Sequence, residues 1–336
     1  MQPSHATTFA FLDNLRLEVV GSARTGRHFR AEYGPAASAP VPEPELRVTF
    51  RRASKQGAGF DGAHKTVRWH VEIAEPLDGP LRVEIQLTGE PRSFGLSLLQ
   101  GYVIEPLLGL FAPGAGHVLL PAAAFGSTDR AILLIGRSRS GKSSLAARAA
   151  ADGVGVLGDD HVLVAGSGEC RAFPRRIRVY SDLAETAPRA YELLPRSKRA
   201  ELRALGALRS WTRNLVAPPL RLGLETLGSS PVRSPLRIGT IVVVERGEVS
   251  RLEREPLDAS AIVATASGII REQRRSLELL SRGDWQARLE GALKADQELL
   301  QAAFAHAASA VRVVVPRSWP AGQAVSALGA ALGDGM

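Results

Sequence analysis

The run Gly136-Arg137-Ser138-Arg139-Ser140-Gly141-Lys142-Ser143 constrains this chain more than any other stretch. It follows the apolar segment Ala131 to Ile135 and leads into the helix-forming run Lys142 to Ala151. Glycines at its first and sixth positions let the backbone curl so that successive N–H groups face inward, and the helix behind adds its N-terminal dipole. Such a loop is a phosphate cradle, a P-loop, in which Lys142 supplies a point charge to β- and γ-phosphates and Ser143 a hydroxyl to Mg²⁺. The motif requires strand before and helix after, and both are present, so a chance glycine-rich turn is the weaker reading. The expected nucleotide-binding set is Gly136, Arg137, Ser138, Arg139, Ser140, Gly141, Lys142, Ser143 and Ser144. Arg137 and Arg139 either assist the phosphates or face solvent. The cofactors expected are ATP and Mg²⁺.

A second constellation follows shortly. The segment Gly153 to His161 (GVGVLGDDH) reads as a short apolar strand ending in two consecutive carboxylates, Asp159 and Asp160. The order strand, helix, strand implies neighbouring parallel strands with a right-handed crossover, which places the pair at a carboxyl strand end beside the loop. Adjacent residues there splay apart, so one acid can face a metal while the other faces an incoming hydroxyl. Asp159 is expected as the base and Asp160, with Ser143, as the metal ligand, the two acid roles being open to exchange. Lys142, Asp159 and Asp160 form the catalytic set. His161 is a candidate to position a phosphate or to pair with Asp160, and Arg175 and Arg176 to reach the triphosphate or an acidic acceptor.

Around this centre the chain reads as two parts, a β-rich N-terminal domain over residues 1–112 and a catalytic domain over 113–336. Period-two alternation marks Leu46, Val48 and Phe50, then Val67, Trp69, Val71 and Ile73, then Leu81, Val83, Ile85 and Leu87, a mainly antiparallel region. Residues 36–44 and 54–65 read as exposed loops. Leu96, Leu99, Val103 and Leu107 have helical spacing, and Pro113 stops that helix. Further strands are expected at 117–125, 177–179, 238–244 and 311–315, with helices at 259–281 and 285–308, the latter capped by Asp284. The basic, proline-bearing stretch 188–235 is either a mobile loop or a small helical insert over the site.

Charge and composition narrow the function classes. The net charge of +8 comes mainly from scattered arginines, which favours acidic partners, but aromatics are few and nucleic-acid motifs are missing, so nucleic acid is not an expected partner. Arg271, Arg274 and Arg275 are read as a solvated helix face or a substrate clamp. One cysteine, Cys170, and the lack of a charged-then-apolar leader point to a reducing, cytoplasmic location. The uncharged stretch 106–128 is broken by Pro106, Pro113 and Pro121, unlike the roughly 20 continuous apolar residues of a membrane span. No membrane partner is expected.

The string GRSRSGKSSLAARAAADGVGVLGDDHVLV, with AFPRRIRV after it, resembles the catalytic core of the HPr kinase/phosphorylase family from about Leu120 to Val179. Some HPr-kinase-related proteins of this kind phosphorylate a serine of a lasso-peptide precursor. The resemblance implies an α/β fold with a P-loop kinase core related to phosphoenolpyruvate carboxykinase, a serine of a peptide or protein as acceptor, and a possible homo-oligomer. Two departures stand out. Where members carry a histidine on the strand before the loop, this chain has Pro121, with His117 four residues earlier as its possible substitute. The glycine-rich, glutamate-containing signature of the phosphorylase side is absent, so phosphorolysis is not expected. The resulting expectation is a Mg-ATP-dependent serine kinase, with a nucleotide-binding regulatory module or a small-molecule alcohol kinase as alternatives.

Overall fold

The computed structural model describes residues 5–40, 43–51, 59–74, 80–213, 215–230, 232–280 and 284–333. In chain order the first elements are β1 (His5–Leu12), β2 (Leu15–Gly21), α1 (Ala23–Tyr33), β3 (Ala37–Ser38), β4 (Leu46–Arg51), β5 (Gly59–His64), β6 (Val67–Ala74) and β7 (Leu81–Gly89). There follow α2 (Arg92–Leu99), a π-turn at Gln100–Ile104, α3 (Glu105–Phe111) and β8 (His117–Leu120). Then come β9 (Ala122–Ser127), β10 (Arg130–Gly136), α4 (Lys142–Ala151), β11 (Gly155–Gly158), β12 (Val162–Ala165), β13 (Glu169–Ala172) and β14 (Ile177–Val179). A helical stretch follows in α5 (Leu183–Thr186), α6 (Pro188–Leu193) and α7 (Arg196–Trp211), before β15 (Leu220–Leu222) and β16 (Leu236–Gly247). The chain closes with β17 (Glu253–Pro256), α8 (Ala259–Arg274), α9 (Trp285–Phe304), β18 (Ser309–Pro316) and α10 (Ala321–Gly333).

Two compact units result, one from residues 1–119 with 270–298, the other from 120–269 with 299–336. The three boundaries fall inside β8, α8 and α9. Residues 270–298 therefore side with the β-rich part, whereas the sequence placed everything after 112 in one domain. The physical cause is Arg274. It is buried, its guanidinium donates to the Gly109 carbonyl at 2.8 Å, and it lies 2.6 Å from the buried carboxylate of Asp296. Arg274 is thus neither a solvated helix residue nor a substrate clamp, while Arg271 and Arg275 are exposed.

The first unit holds a seven-stranded sheet in the order β3-β1-β2-β4-β7-β6-β5. Most neighbours are antiparallel, as the alternation predicts, but β2–β4 and β4–β7 are parallel, so the sheet is mixed. Each predicted strand turns its apolar residues to one buried face: Leu46 and Val48, then Val67 and Val71, then Leu81, Val83 and Ile85. Two elements escaped the pattern. Helix α1 begins at Ser22, whose hydroxyl accepts from the Thr25 amide at 3.3 Å, and buries Phe29 and Tyr33. The polar segment 59–64, expected as loop, is strand β5, because β6 supplies its hydrogen bonds and Phe60 its burial. Residues 54–58 of that expected loop and residues 41–42 of the other lie outside the described residues, and Lys65 stands in the turn between β5 and β6. A helical run from Arg92 to Ala115 is long and apolar enough to cross a membrane by length and composition, and it is mostly buried. A core helix meets the same test.

The second unit is built on a branched mixed sheet containing the path β11-β9-β10-β16-β13-β12, with β18 parallel to β16 and β17 antiparallel to β18. Here the expected adjacency of β10 and β11 is corrected. Both strands pair antiparallel with β9, which lies between them, so they run parallel to each other without touching. The parallel neighbour of β10 is β16, far along the sequence. The sheet and α4 enclose an apolar core of Leu134, Leu145, Ala146, Val156, Val242 and Val313. The stretch 188–235 is a helical insert plus the strand β15, which pairs with β14. It contributes Ala190, Leu194, Leu202 and Leu220 to this core. Cys170 is buried in β13, where burial pushes its thiol up to about 12; such a thiol is inert. Helix α9 ends at Phe304, short of the expected 308; Asp284 precedes its first turn, and the Asp284 carbonyl accepts from the Arg288 amide at 3.0 Å. Helix α8 gives way at Arg275 to a short 3₁₀ turn, and Ser281 lies outside the described residues.

Candidate functional site

The glycine-rich loop forms where β10 stops and α4 starts. Gly141 stands at the N-cap of α4 with φ of 99°, a left-handed conformation that L side chains rarely adopt. At Gly136, a Cβ would lie 2.7 Å from the Val244 carbonyl oxygen, so only glycine lets β10 lie this close to β16 before the loop curls. Arg139 also has positive φ, at 68°. Arg137, Ser138 and Arg139 are exposed at the tip, and Ser140 is buried beneath it. Lys142 folds its ammonium back over the loop, donating to the Gly136 carbonyl, to the Arg137 carbonyl at 2.9 Å and to Ser140 Oγ at 3.4 Å. Burial pushes this ammonium below its ordinary pKa, while Asp160 and Asp159 favour its charge.

Asp159 and Asp160 follow β11, at the same sheet edge as the end of β10, and their surroundings differ. Asp159 is buried. Its Oδ2 accepts from the Arg178 amide at 3.1 Å, and the Ser143 hydroxyl hydrogen-bonds to the carboxyl. Its Oδ1 is buried without a hydrogen-bond partner. Burial, then the neighbouring Asp160 charge, push its carboxyl up to about 8, against the pull of Arg175 and Ser143. Asp160 is about a third exposed and takes Arg175 at 2.8 Å and Arg178 at 3.3 Å on Oδ2. Burial opposes its charge, but Arg175, His161 and Lys142 outweigh burial and hold the carboxyl below its usual range. Two adjacent acids are thereby driven apart, one toward the neutral form and one toward the anion, as in paired acid/base sites.

Most of the expected residues therefore converge. Lys142, Ser143, Asp159, Asp160 and Arg175 stand together, and His161 is buried with Nδ1 3.4 Å from Arg175 and its ring edge-on to Phe173. Arg176 and Ser144 are partly buried. His117 lies among the residues of the first unit, its Nδ1 donating to the Ala115 carbonyl at 2.7 Å.

Three residues were not anticipated. Arg178 on β14 sits directly opposite Arg221 on β15. Two arginines facing each other across a strand pair repel, and what they share is Asp160: Arg178 pairs with it, and the Arg221 charge stabilises its anion. Tyr180, just past β14, is the third, its phenol pushed up by burial and by the charges of Asp160 and Asp159. The signal was present in the period-two patterns Ile177-Arg178-Val179 and Leu220-Arg221-Leu222, each with a cation between buried aliphatics.

A cleft of about 590 Å³ opens on the other side of the loop. Gly136, Arg137, Ser138 and Ser140 border it, with Val243 to Arg246 at the end of β16. Ala264, Thr265, Gly268 and Ile269 of α8 form a wall, and Arg317 completes it. Neither acid lines this cleft. Among the described residues no group of three or more His, Cys, Asp or Glu could by itself hold a metal ion. A Mg²⁺ bound mainly through phosphate oxygens needs only one or two protein ligands; of the expected pair, the Ser143 hydroxyl is hydrogen-bonded to Asp159, and Asp160 Oδ2 is paired with Arg175 and Arg178. No protein-family model matches the chain, and a search of curated proteins finds no match.

Proposed function

We propose that this protein is an ATP-dependent kinase that moves the γ-phosphoryl group to a hydroxyl, a serine of a peptide or protein being the acceptor. The observation that carries the reading is the meeting of two parts. A glycine-rich strand-to-helix loop with its lysine faces a buried acid that has one free oxygen and is bonded to the serine following that lysine. Phosphoryl transfer asks little covalent chemistry of a protein; it needs positioning and charge neutralisation. Lys142 would neutralise the β- and γ-phosphates once their oxygens replace the loop carbonyls it now contacts. When bound, Mg²⁺ held by Ser143 and Asp160 would supply further neutralisation of that charge. In its ionised form, which becomes the majority only above about pH 8, Asp159 would take the proton of the acceptor hydroxyl on Oδ1 as the oxygen-to-γ-phosphorus bond forms and the bond to the bridging β,γ oxygen breaks, releasing ADP. Arg175, Arg178 and Arg221 surround the acids with positive charge, which favours an anionic occupant.

A second reading, a nucleotide-dependent binding module without transfer, is favoured by one feature, the proline at position 121 where the resembling kinases carry a histidine. One incubation separates the two. The full chain with γ-labelled ATP, Mg²⁺ and serine-bearing peptides of varied charge should yield labelled peptide, with label stable as a phosphoserine ester. Saturable ATP binding with no labelled acceptor across such a panel would establish the binding module instead.

A further inference from the structure

The insert between β14 and β15 carries a run of positive charge that the chemistry given to Asp159 does not use. Helix α7 and the turn after it, residues 196–213, hold six cations, Arg196, Lys198, Arg199, Arg203, Arg209 and Arg213, against one acid, Glu201. That acid is engaged by Lys198 at 2.8 Å. The helix is anchored from one side: Leu202 is buried in the core of the second unit and Leu205 packs against it, while Arg196, Arg203 and Arg213 are exposed. Its middle rests beside the acid site. A Cβ added at Gly206 would stand 3.1 Å from Ser181 Cβ, and Ser181 follows Tyr180, whose phenol feels the charges of Asp160 and Asp159. Arg203 and Arg209 lie one turn to either side of Gly206 on the same helix face. The positive field that Arg175, Arg178 and Arg221 set up around the acids therefore continues outward along α7.

We infer that α7 holds an acidic segment of the acceptor, beside the serine that is phosphorylated. This inference rests on the kinase reading and adds the acceptor's charge to it. An extended chain covers about 3.3 Å per residue and a helix of this length about 24 Å, so the acidic residues should fall within about seven positions of the serine. A lipid surface would suit the charge but not the shape of the helix, because interfacial binding needs a broad apolar outer face. Here the exposed positions include Ala200, Arg203, Ala204 and Ala207, and Leu202, Leu205 and Leu208 are buried or half-buried. Trp211 is the one large apolar side chain that α7 exposes, and a single aromatic next to cations suits the anchoring of a peptide side chain.

Arg196→Glu combined with Arg203→Glu reverses two exposed charges and leaves the loop, the acids and the Leu202 contact in place. The probes are two fluorescein-labelled serine peptides of equal length, one with several Glu near the serine and one with Gln in their place. By anisotropy the parent should bind the Glu peptide about tenfold or more tighter than the Gln peptide, a gap that narrows as salt is raised. The double variant should lose most of that gap while holding the Gln peptide within about twofold of the parent. With γ-labelled ATP the same advantage should appear in the KM for the Glu peptide. A parent that binds both peptides equally, or a double variant that keeps the preference, overturns the inference and leaves the kinase reading untouched. Sedimentation of the parent, but not of the double variant, with phosphatidylserine vesicles, together with no peptide preference, overturns it in favour of a lipid surface. A peptide preference in binding with no labelled product overturns the kinase reading, and the acceptor role of α7 with it.

Discussion

Asp159→Asn should give a protein more stable than its parent at pH 9 and slower in phosphoryl transfer by orders of magnitude. The carboxyl of Asp159 is pushed up to about 8 in the folded chain, from an ordinary value near 4. Between those limits the folded state holds a proton that the unfolded chain releases, so raising the pH costs folded stability until about pH 8. Asparagine keeps an oxygen for the Arg178 amide, removes the repulsion with Asp160, and carries no charge to desolvate. The stability gap between variant and parent should therefore be small near pH 4, widen through pH 8 and then level off on the order of a few kcal/mol. Urea denaturation at pH 5, 7 and 9 in a chelating buffer measures it, and parallel pH dependence in the two proteins would deny the buried, raised carboxyl. With its base gone, transfer should fall by about 10² to 10⁴. A gain in stability with loss of activity is how an acid kept for chemistry behaves.

The largest purely structural effect is expected at the pair Arg274 and Asp296. Both side chains are almost inaccessible, and burial pushes Asp296 up to about 6 even with Arg274 beside it. Arg274→Met leaves a buried carboxylate without its cation and the Gly109 carbonyl without its donor, a loss of about 3–5 kcal/mol. Because Asp296 can take up a proton, that loss should shrink at pH 5 and be greatest above pH 7. Replacing both residues by apolar ones of similar volume should restore most of the stability, since the pair's own desolvation then disappears as well. Chemical denaturation of the single and double variants decides the matter; a single variant as stable as its parent at pH 8 would mean that the pair is not desolvated.

How far the sequence could be read follows from whether each signal was local. The loop, Lys142, Ser143 and the acid pair were legible because spacing within a few residues fixes them, and β10 and α4 flank the loop as expected. What failed was adjacency. The short helix between β10 and β11 suggested direct neighbours, but β9 arrives first from the N-terminal side and occupies the place between them. Long-range partners were equally hidden: β16 beside β10, and Arg221 opposite Arg178 after an intervening helical insert. Segment 59–64 carries glycines and polar residues and becomes a strand only because β6 pairs with it, a tertiary effect that propensity does not report. Arg274 looked like one more surface cation, since nothing within its own helix announces Asp296 on the next.

The proposed transfer requires Lys142 and its loop to grip a triphosphate, and calorimetric titration of Mg-ATP into the parent and into Lys142→Ala tests this most directly. The prediction is saturable binding by the parent that weakens about 10- to 100-fold in the variant, the scale of a charge-assisted hydrogen bond lost from an enclosed site. A parent that shows no binding, or a Lys142→Ala protein that binds Mg-ATP as tightly as the parent, would contradict it.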